Sequence, residues 1–561
     1  MAVVQVPALL QPGGGPTKAI TLSVLLLALR WPSSCWATQE TSRSTCRWHH
    51  HPVRHRGRGH DGAPRHIDEG MTAHPRIGRR RLLQLTAGAG ALGATSLTGC
   101  SGSASYSAAS AVGAVDFTQP LPIPPLAEST EHDGYRTFEL VAQEGTSRIV
   151  PQGDTDTWGL NGTILGPTLR VRRGEAIRID VRNELPEATS IHWHGMRLPA
   201  EADGGPHQPI EPGETWSPSW TVDQPAATLW YHPHPHGETE RHVYRGLGGF
   251  FLIDEHDPSL ALPHTYGVDD IPLVVQDKTF DDAGQLVETA RHDVGMLGDT
   301  ILVNGAAGAV LDVTRALTRL RLLNGSTARS YSFGFSDDRS FAMVASDGGP
   351  LENTATLTRI LLSPGERAEI VVAMDPDEEV TLRSYPHNLG ISSRRTERAG
   401  ADDELDILLL RAASSLGDSP EIPPTLVSIP WLEAAEAATT RVFEFGQQLI
   451  NGKSMDMSRI DAEILVDTVE IWEIINTHTQ PHNFHIHDVQ FQILAIGGDA
   501  PPPELSGWKD TVYTPLGVRL RLIMRFGPHT DPHVPYMFHC HLLWHEDQGM
   551  MGQFTVLPPH E

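Results

Sequence analysis

The feature of this sequence that most constrains its fold is a set of four histidine pairs, each interrupted by a single residue. The pairs are His192-Trp193-His194, His232-Pro233-His234, His485-Ile486-His487 and His539-Cys540-His541. On a β-strand alternate side chains share one face and lie about 7 Å apart. Each pair therefore presents two imidazoles from one face, where they can bind two neighbouring metal ions. One such pair alone is more typical of partly exposed strand histidines, whereas four pairs with a cysteine inside one of them indicate a metal centre.

Cys540 makes this prediction more specific. It lies between His539 and His541, so on a strand its side chain points to the face opposite theirs. His482 precedes His485 by three residues and should likewise point away from its pair. Cys540 and His482 can therefore meet at one site while the paired histidines meet at another.

Two residues further along the chain favour copper at the cysteine site. His545 and Met550 follow Cys540 by five and ten residues, and two histidines, a cysteine and a weak axial methionine form the blue-copper arrangement. Imidazole by itself suits copper, zinc, iron and nickel alike. The backbone from Cys540 to its two neighbouring histidines would then join an electron-accepting copper to a cluster held by eight histidines.

The remaining cysteines cannot form a disulfide within the predicted folded body. Cys35, Cys46 and Cys100 all lie in the first 100 residues. The thiol of Cys540 is therefore either buried and inert or committed to chemistry. An isolated cysteine is more often inert, but the histidines and methionine around Cys540 favour a metal ligand.

Residues 71–100 are typical of an export signal. Arg79-Arg80-Arg81 begins a twin-arginine pattern, and an apolar stretch of small residues follows over 82–97. Leu97-Thr98-Gly99-Cys100 is similar to a bacterial lipobox, whose cysteine is lipidated; the alternative is an ordinary leader with a chance cysteine. We expect an extracytoplasmic protein exported by the twin-arginine route, and either lipid-anchored through Cys100 to the outer face of the cell membrane or secreted.

The segments on either side of this signal have no pattern of a folded domain. Residues 1–70 mix Arg, His, Pro and Trp without periodicity, and Met71 occupies the place of a natural start. We interpret 1–70 as a non-native extension of the gene start, with a disordered, loosely metal-binding extension as the alternative. Residues 101–115 are rich in Ser and Ala and predict a flexible tether.

The rest of the chain predicts three consecutive β-sandwiches. Short runs that alternate apolar and polar residues, such as 176–182 and 518–523, recur between Gly and Pro turns. With breaks where turn residues cluster, the predicted domains are 116–258, 259–425 and 426–561. The formal net charge of −26 argues against a nucleic-acid partner, and no apolar run approaches the ~20 residues that span a bilayer.

The chain resembles the three-domain multicopper oxidases, a family that includes bacterial and spore-coat laccases, bilirubin oxidases and cuprous oxidases. The resemblance covers about residues 130–558 and is carried by 192–195, 230–234, 481–487, 507–511 and 539–551. It implies an all-β fold of three consecutive cupredoxin-like Greek-key β-sandwiches. It also implies an oxidase with four copper ions, one of type 1, one of type 2 and two of type 3, which takes electrons from a small-molecule substrate and passes them to dioxygen.

The resemblance also implies a role for each candidate ligand. The type 1 copper would be held by His482, Cys540, His545 and Met550. The type 2 copper would be held by His192 and His485, and the type 3 pair by His194, His232, His234, His487, His539 and His541. Asp203 and Glu546 resemble the family's carboxylates near the trinuclear site, where they would supply protons; a solvated loop carboxylate is the alternative for Asp203. His236 and His242 are expected to support the ligands rather than to bind metal.

Some departures from the family pattern bear on the substrate. Asn483 replaces a usual proline and Asp488 stands where glycine is common, but neither removes a ligand. A methionine-rich insert is missing apart from Met455 and Met457, which disfavours a dedicated cuprous oxidase. The leading hypothesis is therefore a monomeric oxidase of phenols, aromatic amines or bilirubin-like tetrapyrroles. The alternatives are a metallo-oxidase acting on Cu(I) or Mn(II) in metal tolerance, a copper-free structural relative, and a copper carrier.

Overall fold

Strands dominate the computed structural model, which describes residues 110–255, 260–289 and 291–559. The alternating runs predicted from the sequence form strands, such as Ala176–Asn183 and Arg519–Arg525. The predicted extension 1–70 and the predicted export signal 71–100 with Cys100 lie outside the described residues. Among the residues that are described, no helix is long and apolar enough to cross a membrane.

The first sandwich carries two of the four histidine pairs. After β1 (Gln119–Pro120), its strands are β2 (Ser129–His132), β3 (Tyr135–Val150), β4 (Gly153–Leu160), β5 (Leu169–Arg172), β6 (Ala176–Asn183), β7 (His192–His194), β8 (Thr215–Trp216), β9 (Ser219–Thr221), β10 (Ala227–His232) and β11 (Gly249–Asp254). One sheet has the order β5-β11-β10-β7; the other has the order β2-β3-β6-β8, with β4 on β3 and β9 on β6. Antiparallel pairing of β7 with β10 sets His192 opposite His232, so the two pairs share one sheet.

The second sandwich contains none of the predicted ligands. Its strands are β12 (Asp270–Lys278), β13 (Arg291–His292), β14 (Gly295–Met296), β15 (Thr300–Val303), β16 (Ala306–Ala307), β17 (Ala309–Arg315), β18 (Leu317–Asn324), β19 (Tyr331–Phe335), β20 (Phe341–Ser346), β21 (Gly349–Leu357), β22 (Ile360–Leu362), β23 (Arg367–Ala373), β24 (Glu379–Ser384) and β25 (Leu405–Gly417). Its sheets have the orders β1-β17-β25-β24-β19-β22 and β16-β15-β12-β18-β23-β20-β21, and β13 and β14 form a separate hairpin. Residues 110–121 also attach here: β1 pairs with β17, and the Gly113 amide donates to Asp406 Oδ2 at 2.8 Å.

The third sandwich carries the other two pairs. Its strands are β26 (Ala437–Gly446), β27 (Leu449–Ile450), β28 (Ala462–Leu465), β29 (Val469–Asn476), β30 (His482–Ile486), β31 (Phe491–Ile496), β32 (Thr511–Thr514), β33 (Arg519–Arg525), β34 (Asp531–His539) and β35 (Met551–Leu557). Its sheets have the orders β27-β26-β29-β33-β31 and β28-β35-β34-β30-β32. Pairing of β30 with β34 sets His485 opposite His539.

Short helices complete the fold and lie in connections between strands. They are α1 (Thr239–Arg245), α2 (Ser393–Arg398) and α3 (Leu543–Asp547), with single 3₁₀ turns at Ala200–Ala202, Ala434–Glu436 and Pro503–Leu505. Each sandwich has its own apolar core, exemplified by the buried residues Phe138 in the first, Leu322 in the second and Trp472 in the third. The all-β prediction of three consecutive sandwiches is confirmed; the limits 116–258, 259–425 and 426–561 stay predictions.

Candidate metal centre

The twelve candidate ligands are all buried and gather into two groups. In the smaller group, Cys540 Sγ lies 3.5 Å from His482 Nδ1 and 3.7 Å from His545 Nδ1. The Met550 side chain is fully buried in the same core, and its carbonyl accepts a hydrogen bond from the Cys540 amide at 3.1 Å. The predicted meeting of Cys540 with His482 is therefore present in the structure.

The larger group contains eight histidines, and the first and third sandwiches contribute four each. Two stacked ring pairs join the sandwiches, His192 on His487 and His194 on His485, both with centroids 3.7 Å apart. The Nε2 atom of His539 lies 3.2 Å from Nε2 of both His234 and His487. On the other side of the cluster, Nε2 of His541 lies 3.4 Å from Nε2 of His232.

The outward-facing ring nitrogens of this cluster are held by acceptors. The Nδ1 atoms of His192, His232 and His485 lie 2.9 Å from the backbone carbonyls of Asp203, Pro233 and Asp510. A carbonyl can only accept, so each of these Nδ1 atoms carries the proton and donates it. The inner Nε2 of each neutral ring is then a bare lone pair.

The inner nitrogens are arranged as metal ligands are. Three of them have no hydrogen-bond partner within the described residues: Nε2 of His192 and His485, and Nδ1 of His194. The other five are Nε2 atoms that face one another at 3.2–3.4 Å. Facing lone pairs in a buried space are unfavourable unless a cation lies between them, so the donor set fits bound metal ions.

Burial keeps these imidazoles in the neutral form that binds metals. Desolvation lowers the pKa of His234 and of His545 to about 4, and that of His541 to about 3. Desolvation also raises the pKa of the Cys540 thiol to about 12. Because a metal binds the thiolate, loading the smaller group requires the release of that proton.

Both predicted carboxylates are buried against the larger group. Asp203 Oδ2 accepts a hydrogen bond from His487 Nδ1 at 2.8 Å, and its carboxylate is 2% exposed, unlike a solvated loop carboxylate. Glu546 lies 3.1 Å from His539 Nδ1 and 3.4 Å from His234 Nδ1. Burial alone would raise the pKa of Glu546, but His234 and His539 together hold it well below its usual value.

The two histidines expected to be supporting residues lie outside the cluster. His236 is exposed. His242 is buried in α1, where its ring nitrogens contact Thr189 Oγ1 at 3.1 Å and Glu187 Oε1 at 2.7 Å. Neither residue belongs to the groups of side chains whose ligand atoms lie close enough together to hold a metal ion.

Sequence reasoning missed several residues that contact the ligands directly, among them Asp510 and Asn483. Asp510 Oδ1 accepts from His194 Nε2 at 3.0 Å, and the only sequence signal was its place in the 507–511 motif. Asn483 had been noted only as a departure from the family pattern. Its side-chain carbonyl accepts the His541 amide at 2.6 Å and lies 3.7 Å from Cys540 Sγ.

Comparisons with known proteins agree with this geometry. Three family models, each described as multicopper oxidase, match residues 142–258, 269–396 and 427–560. A multicopper oxidase of Staphylococcus epidermidis is 36% identical over 440 residues, which cover 77% of this chain and 91% of the relative. The cell division protein FtsP of Dickeya dadantii is 35% identical over 447 residues, which cover 78% of this chain and 92% of the relative. The crystal structure of a laccase from Pediococcus acidilactici superposes with a TM-score of 0.71 at 36% identity, covering 78% of this chain and 94% of that one.

The buried His242 generates a pH prediction. Burial lowers its pKa to about 4 despite a hydrogen bond to Glu187, whereas in the unfolded chain it is near 6.5. Between pH 6.5 and 4, His242 is therefore protonated in the unfolded chain but neutral in the folded chain. Its contribution to the free energy of unfolding falls as the pH is lowered through this window. Relative to His242→Gln, the wild type should lose about 1.4 kcal/mol of unfolding free energy per pH unit across that window.

Denaturant unfolding of both proteins at equal copper loading measures the difference. The substitution also alters the hydrogen bonds of the buried ring at every pH, so only the change of the difference with pH is diagnostic. Parallel curves from pH 6.5 to 4 would contradict the prediction.

Proposed function

Because this chain belongs to the multicopper oxidase family, we propose that it oxidises phenols, aromatic amines or bilirubin-like tetrapyrroles one electron at a time and reduces dioxygen to water with four electrons. Copper, when bound, supplies the one-electron redox chemistry at both groups of ligands. The observation that carries the proposal is the position of Cys540. Its sulfur faces His482 and His545, while the adjacent residues His539 and His541 face the larger cluster.

The proposed ligand sets follow the distances in the two groups. His482, Cys540 and His545, with Met550 as a weak axial ligand, would hold the type 1 copper. His192 and His485 would hold the type 2 copper. The type 3 pair would be held by the triads His194, His232, His541 and His234, His487, His539, a division supported by the close approaches of His541 to His232 and of His539 to His234 and His487. All twelve residues come from one chain, so the proposal requires only a monomer.

Asp203 and Glu546 are proposed to hold and deliver the protons that water formation consumes. Each is buried and within hydrogen-bonding reach of a histidine of the larger cluster. Asp203 lies beside His192 and His487, and Glu546 beside His234 and His539. The two acids thus reach four of the eight rings, which supports proton supply from two directions.

The reducing substrate is proposed to donate its electron across a covered surface. His545 is fully buried, and its Nε2 donates to the Asp293 carbonyl at 3.1 Å. The turn between β13 and β14 therefore lies over this ring, and the Asp293 carboxylate pairs with Arg395 of α2 at 3.1 Å. Organic donors can pass an electron through such a contact without binding to the metal.

One observation favours the second candidate, a metallo-oxidase acting on Cu(I) or Mn(II). The Met455 amide donates to the Gly549 carbonyl at 2.9 Å, directly beside Met550. The Met457 side chain is 36% exposed. A thioether brought close to the type 1 ligands by this backbone contact would suit soft Cu(I).

The copper-free and carrier alternatives are less well supported. The chain is about as similar to a cell division protein as to an oxidase. Overall similarity therefore does not distinguish an oxidase from a copper-free structural relative. The complete set of twelve buried candidate ligands favours catalysis over a structural role, and a carrier needs no cysteine joining two sites. Location outside the cytoplasm, reached through the twin-arginine signal at 71–100, is part of the proposal.

Cys540→Ser should abolish the intense blue colour and the oxidation of phenols, because the alcohol cannot supply the thiolate ligand. Copper per chain should fall from four to about three, since the eight-histidine cluster is untouched. Absorption spectra, elemental analysis and oxygen uptake measure these changes, and circular dichroism checks that the variant folds. Phenol turnover by a folded Cys540→Ser variant would refute the role of this residue.

Steady-state rates on a phenol, bilirubin, Cu(I) and Mn(II) separate the two candidate functions. If organic substrates are the natural ones, the double substitution Met455→Leu and Met457→Leu should leave every rate unchanged. A selective loss of Cu(I) oxidation in this variant, with phenol oxidation intact, would overturn the leading proposal in favour of a metallo-oxidase.

A further inference from the structure

We propose that residues 363–367 of the second sandwich position the eight-histidine cluster, and that Arg367 acts on His194 through Asp510. We call this segment the 363–367 loop. The proposal rests on the proposed function, because it explains how the proposed ligands are oriented. The loop supplies none of the candidate ligands, so its role is positioning.

The Arg367 guanidinium is fully buried and uses all five of its N–H donors. Nε donates to the Thr228 carbonyl at 3.0 Å, and the Nη atoms donate to the Gly365 and Asp347 carbonyls at 3.1 and 3.0 Å. The remaining two donors form a bidentate pair with the Asp510 carboxylate, both at 2.7 Å. Thr228 belongs to the first sandwich, Arg367 to the second and Asp510 to the third, so one side chain joins all three.

Asp510, held in place by Arg367, accepts hydrogen bonds from two candidate ligands. Its Oδ1 accepts from His194 Nε2 at 3.0 Å, and its backbone carbonyl accepts from His485 Nδ1 at 2.9 Å. A carboxylate can only accept, so His194 carries its proton on Nε2 and turns Nδ1 towards the cluster. In His192 and His485 the opposite nitrogen, Nε2, faces inward. Asp510 therefore selects the tautomer of His194.

The same loop also contacts the chain between the two metal centres. The Asn483 amide donates to Ser363 Oγ at 3.0 Å and to the Pro364 carbonyl at 2.8 Å. The Asn483 side-chain carbonyl in turn accepts the His541 amide. Asn483 thus connects the loop to the residue directly after Cys540.

Two glycines allow the backbone to approach this closely. A Cβ atom at Gly365 would lie 3.0 Å from the His541 ring, and the residue has φ +85°. A Cβ atom at Gly195 would overlap Asp510 Oδ2 and lie 2.9 Å from Arg367 Nη2, at φ +86°. Both positions therefore exclude a side chain for steric and conformational reasons.

Arg367→Met tests the proposal, with Arg321→Met as its matched control. Arg321 is also buried in the second sandwich, and its guanidinium pairs with Asp270 and Glu369 but contacts no histidine of the cluster. Loss of an outer partner typically weakens metal binding by about 10–100-fold. We expect that loss at the eight-histidine cluster in Arg367→Met, with the type 1 colour retained, and normal copper binding in Arg321→Met even where its thermal stability falls.

Copper titration followed by elemental analysis measures the affinity, and nitrogen NMR of the histidine rings in metal-free protein reports the His194 tautomer. Loss of the Nε2-protonated form of His194 is expected in Arg367→Met. If that variant does not fold, Asp510→Leu, which removes the acceptor of His194 Nε2, decides by the same two measurements.

Wild-type copper affinity and an unchanged tautomer in the folded variant would overturn the inference, as would an equal loss of copper in Arg321→Met. The proposed function fails separately, if the wild-type protein binds no copper or shows no type 1 colour. A blue, active wild type with an unaffected Arg367→Met variant would refute the inference alone.

Discussion

The structure depends on one unfavourable arrangement, which is a buried cluster of imidazole lone pairs that face each other. The ring stacks of His192 on His487 and of His194 on His485 hold the first sandwich against the third. Each inner nitrogen is removed from water without a hydrogen bond from the described residues or faces another lone pair, and burying a polar atom in this way costs free energy. The fold must therefore be held together by other contacts until metal ions satisfy the cluster.

Those contacts come from the outer side of six of the eight rings, where hydrogen-bond acceptors surround the cluster. The carbonyls of Asp203, Pro233 and Asp510 orient three rings, and carboxylates orient three more. The same contacts that fix the tautomers therefore prepare the metal-binding atoms. Since metal binding to such a site adds its free energy to that of folding, copper loading and stability should be closely linked in this protein.

Much of the site could be predicted because it depends on the spacing of residues that are close together in the chain. The spacing of two residues placed the pairs on common faces, and the three-residue step from His482 to His485 within β30 sends these two rings to different sites. Cys540 lies beside His482, as the alternation predicts, although β34 ends one residue earlier, at His539. Strand alternation applies within β7 and between His482 and His485 of β30, whereas the second member of each other pair lies just past the end of its strand.

The positioning residues could not be predicted in this way, because their contacts are distant in the chain. Asp510 lies 316 residues from His194 and 143 from Arg367, and no local pattern links an acidic residue to a histidine at such separations. The direction of the His194 ring depends on this tertiary contact. The second sandwich, to which the sequence analysis assigned no chemical role, thus provides the buried guanidinium that pairs with Asp510. A bidentate arginine fits this place because a lysine would supply three donors rather than five and could not join Thr228, Asp347 and both oxygens of Asp510 at once.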